Sequence, residues 1–189
     1  MKTILEIIKD GNIQELKEAI KSKINVNEIY TNFDNETPIF YSSYEQTKLL
    51  IEAGADVNHV NKYNQNALFF LNSSFDHGEL NQRKNNLNNK FELLINNNIN
   101  VNQLDIFGGN FLNSNNVNIE SIKIYEKSGV DLKYIDNDGE NLFFCLNDFY
   151  KVKEIREYLQ EKGLDLFKEN NYGENLLFKT ENRELFEYY

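Results

Sequence analysis

Few side chains in this sequence could do chemistry, and their spacing limits what that chemistry could be. Its two histidines, His59 and His77, each lack a second histidine or a cysteine at ligand spacing, so no zinc site is expected. The single cysteine, Cys145, lies in the apolar run Leu142, Phe143, Phe144, Cys145, Leu146 with no base nearby. It reads as a buried thiol in a reducing compartment and not as a nucleophile. Asp136, Asn137, Asp138, Gly139 resembles half a calcium loop, but the first and twelfth ligand positions would fall on Tyr134 and Cys145. Gly108 and Gly109 lack the further glycine, the lysine and the hydroxyl residue that complete a phosphate loop. No catalytic residue, metal ligand or cofactor is expected, and the chain is expected not to be an enzyme.

What remains is binding. With 20 Lys and Arg against 30 Asp and Glu the formal charge is -10, which repels phosphate backbones and attracts basic surfaces. A basic protein partner is expected, and nucleic acid is not. Hydrophobic residues make up 40% of the 189, enough for a continuous core. No run approaches the roughly 18 apolar residues of a membrane span. Lys2, Glu6, Lys9 and Asp10 interrupt the apolar character of the first ten residues, so no signal segment is read there and the expected location is cytoplasmic. The heavy use of asparagine reads as compositional bias, because the apolar periodicity runs on through it.

The elements that would carry a binding surface emerge from internal repetition. Ala55, Asp56, Val57, Asn58 recurs as Ile24, Asn25, Val26, Asn27, as Ile99, Asn100, Val101, Asn102, as Val130, Asp131, Leu132, and as Leu164, Asp165, Leu166. The reference positions 26, 57, 101, 132 and 166 are spaced by 31, 44, 31 and 34, a period near 33 with one insertion. A second signature follows: Asn35, Glu36, Thr37, Pro38, Ile39, Phe40, then the stretches ending in Asn66, Ala67, Leu68, Phe69, in Asn110, Phe111, Leu112, in Asn141, Leu142, Phe143, Phe144, and in Asn175, Leu176, Leu177, Phe178. From 57 to 66, 101 to 110, 132 to 141 and 166 to 175 the offset is nine each time. Upstream in each unit stands an Asx residue, Asn32, Asn61, Asp105, Asp136 or Asn170, as a turn would use.

These two signatures resemble the ankyrin repeat: Thr37, Pro38, Ile39, Phe40 is similar to the family's helix opening and Gly54, Ala55, Asp56, Val57, Asn58 to its close. Elementary chemistry is consistent with that. Thr37, Asn66, Asn110, Asn141 and Asn175 are expected to cap a first helix, Pro38 fits its first position, and Gly108, Gly139, Gly173, Asn35 and Asn64 suit a positive φ. The resemblance implies an all-α solenoid of stacked helix-turn-helix hairpins with projecting β-turn fingers, forming one domain over 1-189. Its units run approximately 1-27, 28-58, 59-102 with an insertion near 73-89, 103-132, 133-166 and 167-189. The first and last units read as caps, with Gly11 permitting a reversal in the first and Leu185 and Phe186 leaving only a stub in the last. The insertion is polar and is expected to be a loop. Phe40, Phe69, Phe144 and Phe178 replace the family's first-helix histidine, with Asn113 in the fourth unit, and are expected to fill the core between repeats.

The resemblance places a partner on the fingertips and first helices: Phe33, Asp34 and Glu36; Lys62, Tyr63 and Gln65; Ile106 and Phe107; Asn137, Asp138 and Glu140; Asn171, Tyr172 and Glu174; with Tyr44 in the second hairpin. Four of the five fingers carry an aromatic at a site normally open to water, beside carboxylates, as an anchor with an electrostatic rim would. The expected function is a protein-protein interaction module, a monomer when free, acting as a small inhibitor such as an immunity protein that neutralises a cognate toxin. The alternatives are a host-directed effector of an intracellular bacterium or virus, and a scaffold or accessory protein that inhibits nothing.

Overall fold

The structure is a computed structural model that describes residues 2-73, 80-114, 118-145 and 153-175. All regular structure among the described residues is helical, apart from one isolated antiparallel bridge between Tyr30 and Glu36. No helix among them is long and apolar enough to cross a membrane. The chain divides into two compact units, Met1–Gln103 and Leu104–Tyr189.

The first unit opens with helices α1 (Ile4–Asp10) and α2 (Ile13–Lys21). A capping box starts α1, with Glu6 N–H donating to Thr3 Oγ1 at 3.2 Å and Thr3 N–H donating to Glu6 Oε2 at 2.7 Å. Gly11 ends it at φ 70°, which makes the expected reversal. Ile4, Leu5, Ile7, Ile8 and Leu16 are buried. Helices α3 (Pro38–Tyr41) and α4 (Tyr44–Glu52) follow, and the buried Gln46 amide of α4 donates to Ile8 O at 2.9 Å, tying the second hairpin to the first.

The insertion departs from expectation. Residues 80–89 are not a loop but the first part of α5 (Leu80–Asn96), while 74–79 lie outside the described residues. The apolar series Leu87, Phe91, Leu94 has helical spacing, and no glycine or proline interrupts the polar stretch before it, so the helix extends backward through Asn, Gln, Arg and Lys. A 3-10 segment, Ala67–Ser73, precedes it. Phe91 and Leu94 enter the core beside Leu68 and Leu71.

The second unit contains the 3-10 turns Phe111–Ser114 and Leu142–Cys145 and the helices α6 (Ile119–Lys127) and α7 (Lys153–Glu161). Phe111, Leu112, Ile122, Tyr125, Leu142, Phe143, Ile155 and Leu159 form its core. Of the core phenylalanines expected, Phe40 and Phe69 are buried and Phe144 is half-buried. Phe178 and the terminal stub with Leu185 and Phe186 lie outside the described residues. Cys145 is half-buried, its Sγ 3.9 Å from Tyr134 Oη, so it lines the core's edge and not its centre.

Candidate functional site

Four turns share one construction. Asn61 Oδ1 accepts from Tyr63 N–H and Gln65 N–H at 2.9 and 3.0 Å, and Asp105 Oδ1 accepts from Phe107 and Gly109 at 2.9 and 3.0 Å. Asp136 does the same for Asp138 and Glu140, and Asn170 for Tyr172 and Glu174. A short Asx side chain suits this position because it satisfies two turn donors that no helix or strand would take. The third residue after it has positive φ, at Asn64 (61°), Gly108 (78°), Gly139 (80°) and Gly173 (77°). The Asp136 stretch is thus a turn of the same kind as its neighbours, its carboxylate already engaged by backbone.

The first finger is built differently. Its closing bond runs from Tyr30 N–H to Glu36 O at 2.9 Å, two residues wider than the Asn61–Gln65 equivalent. Asn32 therefore does not hold the turn position expected of it: it sits exposed in a 3-10 turn (Thr31–Phe33), and both Asp34 and Asn35 take positive φ.

Fingers are joined to fingers within each unit. In the first, Lys62 N–H donates to Asp34 O at 2.8 Å. In the second, Asn137 N–H donates to Phe107 O at 2.9 Å and Asn171 N–H to Asp138 O at 2.8 Å. The Asn137 and Asn171 amides reach Ile106 O and Asn137 O at 3.2 and 2.9 Å. A Cβ on Gly108 or Gly139 would lie 2.6 Å from Asn137 Oδ1 or Asn171 Oδ1, so glycine there also permits the close approach.

Asparagine does more than composition suggested. Asn66, Asn110 and Asn141 Oδ1 accept from Leu68, Leu112 and Phe143 N–H at 3.1, 2.9 and 3.1 Å. Each amide Nδ2 then donates onward, to Asn100 O, Asp131 O and Asp165 O. Asn27 likewise brackets Gly54 and Asp56, and Asn58 brackets Asn98 and Asn100. Thr37 corrects the capping expectation: it makes no cap bond, and its buried Oγ1 has no partner.

The expected partner-binding residues divide into exposed and structural. Phe33, Phe107 and Tyr172 are 44%, 63% and 71% exposed, with Ile106 also open. Lys62, Asn137, Asp138, Asn171 and Glu174 are exposed as well. Asp34, Tyr63 and Gln65 are half-buried. Phe33 leans edge-on against Tyr30 and Tyr41, with Lys9 Nζ 4.8 Å from its ring centroid, so part of that ring is spent within the protein.

Glu36 is a correction. It is 5% exposed, its carboxylate accepts from the Asn61 amide at 3.4 Å, and burial raises its pKa. Glu140 is half-buried and accepts from Asn170 in the same way at 3.1 Å, so both brace the next finger. Tyr44 begins α4 and is half-buried, outside the finger series. His59 is half-buried, with Nε2 at 2.6 Å from Asn35 O and its ring edge-on to Phe40, while His77 lies outside the described residues.

Sequence reasoning missed a second apolar series. The residue before each of the first four turns is Ile29, Val60, Leu104 or Ile135, with Glu169 before the fifth, and Ile29, Leu104 and Ile135 are exposed at 52%, 41% and 44%. An apolar residue recurring where a turn begins was the available signal. Negative potential gathers at the second unit's tips: Asp138, with Glu140 and Glu174 farther off, raises the pKa of the Tyr172 hydroxyl, and burial raises that of Asp136.

No protein-family model matches this chain, and no curated protein matches it in sequence.

Proposed function

We propose that the chain is an ankyrin-type repeat protein that binds another protein through its fingers, and that it acts as a small inhibitor of the toxin-neutralising kind. The observation that carries this is the exposure of Phe33, Ile106, Phe107 and Tyr172 on turns whose own polar groups are already bonded. Rigid, internally satisfied turns lose little entropy on docking, so aromatic area there is available for a partner. The charge of -10 favours a basic partner and speeds its encounter.

The test is capture of a partner by the tagged chain, followed by assay of that partner's activity and by affinity measurement with variants. Phe33→Ala, Tyr63→Ala and Phe107→Ala are each expected to weaken binding about tenfold or more, corresponding to about 1.4 kcal/mol. Loss of the partner's activity in the complex supports inhibition, and a fully active complex would point to a scaffold. Unchanged affinity in all three variants would remove the finger reading.

A further inference from the structure

The two units carry one side-chain arrangement twice, and only one copy is complete. In the first unit Asp34, two residues before the bridge-closing Glu36, offers its backbone carbonyl to Lys62 N–H, and Lys62 is followed by Tyr63. The Lys62 ammonium ion-pairs with the Asp34 carboxylate and lies 4.9 Å from the Tyr63 ring centroid. Acid and ring together hold the cation.

In the second unit Asp138 offers its carbonyl to Asn171 N–H by the same backbone bond, and Asn171 is followed by Tyr172. The acid and the ring recur in the same register, but asparagine stands where the lysine was. The Tyr172 hydroxyl donates to Asp138 Oδ1 at 3.0 Å, which holds the ring beside the carboxylate. Asp138 and Tyr172 have no cationic partner among the described residues, and both are exposed.

We propose that Asp138 and Tyr172 form a seat for a lysine side chain of the partner protein, which takes the place that Lys62 fills between Asp34 and Tyr63. This rests on the finger reading above and narrows it to one contact and one chemistry. The Asp138 carboxylate receives the ammonium and the open face of Tyr172 covers its methylene stem. Phe107 and Ile106, two fingers earlier in the same unit, supply exposed apolar surface beyond it. Glu174 adds to the negative potential at the ring.

The test uses the full chain and an acetylated, amidated tetralysine peptide, with the side-chain-acetylated peptide as the uncharged control. The readout is the ring resonances of Tyr172, assigned by their disappearance in Tyr172→Phe. Tetralysine is expected to shift them saturably at millimolar concentration, and the acetylated peptide is not. Asp138→Asn is expected to weaken that response about three- to fivefold, while Glu161→Gln, which removes the same charge from an exposed position at the end of α7, leaves it intact. Asn171→Lys is expected to move the Tyr172 resonances without peptide and to blunt the response to it, since the chain then fills its own seat. Unmoved Tyr172 resonances, or an equal response in Asp138→Asn and Glu161→Gln, would overturn the proposal. A peptide response that follows Asp138, alongside finger-alanine variants that keep full partner affinity, would support the seat while removing the finger reading.

Discussion

At the residue scale the least expected side chain is Lys90, which lies on α5 only 1% exposed. Its Nζ donates to Ser42 O at 2.7 Å, and Ser42 Oγ is already shared with Thr47 Oγ1 at 2.6 Å. Among the described residues neither Glu45 and Glu52 of α4 nor Glu92 of its own helix offsets the charge, nor does Lys48 add to it, and desolvation lowers its pKa to about 7. The unfolded chain binds this proton up to its ordinary pKa of 10.5, whereas the folded chain releases it above about 7. Protons bound in the unfolded state therefore exceed those in the native state throughout that window, and stability rises with pH by up to about 1.4 kcal/mol per unit. The gain ends near pH 10, where Tyr30 and Tyr41, kept protonated by burial, begin to cost stability. Lys90→Met is expected to raise the melting temperature at pH 7 and to flatten the rise between pH 7 and 9, as followed by circular dichroism. A parallel rise in both proteins would show that the ammonium is solvated in the fold.

At the element scale one side chain decides how tightly a hairpin joins the next. Asn66, Asn110 and Asn141 each spend an oxygen on their own 3-10 segment and an amide on the turn that follows the next α-helix, while Thr37 leaves Oγ1 buried and unsatisfied. In the register that links Asn110 to Asp131 O and Asn141 to Asp165 O, the counterpart for position 37 is Asp56 O. Thr37→Asn is expected to stabilise the chain by about 0.5–1.5 kcal/mol in urea unfolding, because it adds a bridge and removes an orphaned hydroxyl. A destabilised variant would mean that the extra amide volume is not accommodated beside Pro38. The helical nature of the chain, the positive-φ turn positions and the aromatic fingertips were legible because they are local: glycine, Asx and apolar spacing encode them directly. The bracing role of Glu36 and the bridging role of asparagine were not, since each depends on a partner more than twenty residues away. The helix at 80–89 was hidden by its polarity, which resembles a loop until the apolar residues at 87, 91 and 94 anchor it.

At the scale of the whole molecule the chain divides into two compact units, and the first can be tested separately. Met1–Gln103 contains the buried residues Ile4, Ile8, Leu16, Phe40, Leu50, Leu68, Phe91 and Leu94. Its hairpins are tied to one another by Gln46 to Ile8 O, Lys90 to Ser42 O, and Asn58 to Asn98 O and Asn100 N–H. If the proposed repeat stack holds, stability is the sum of each unit and its neighbour contacts, so a segment that holds several such contacts within itself is expected to fold alone. A fragment ending at Gln103 is expected to give a helical spectrum and one cooperative thermal transition. Because Lys90 belongs to this unit, the fragment is also expected to inherit the rise in stability between pH 7 and 9 and to lose it in Lys90→Met. A fragment that melts without cooperativity would show that its core needs residues beyond Gln103. A cooperative fragment lacking the pH response would instead place the origin of that response outside Lys90.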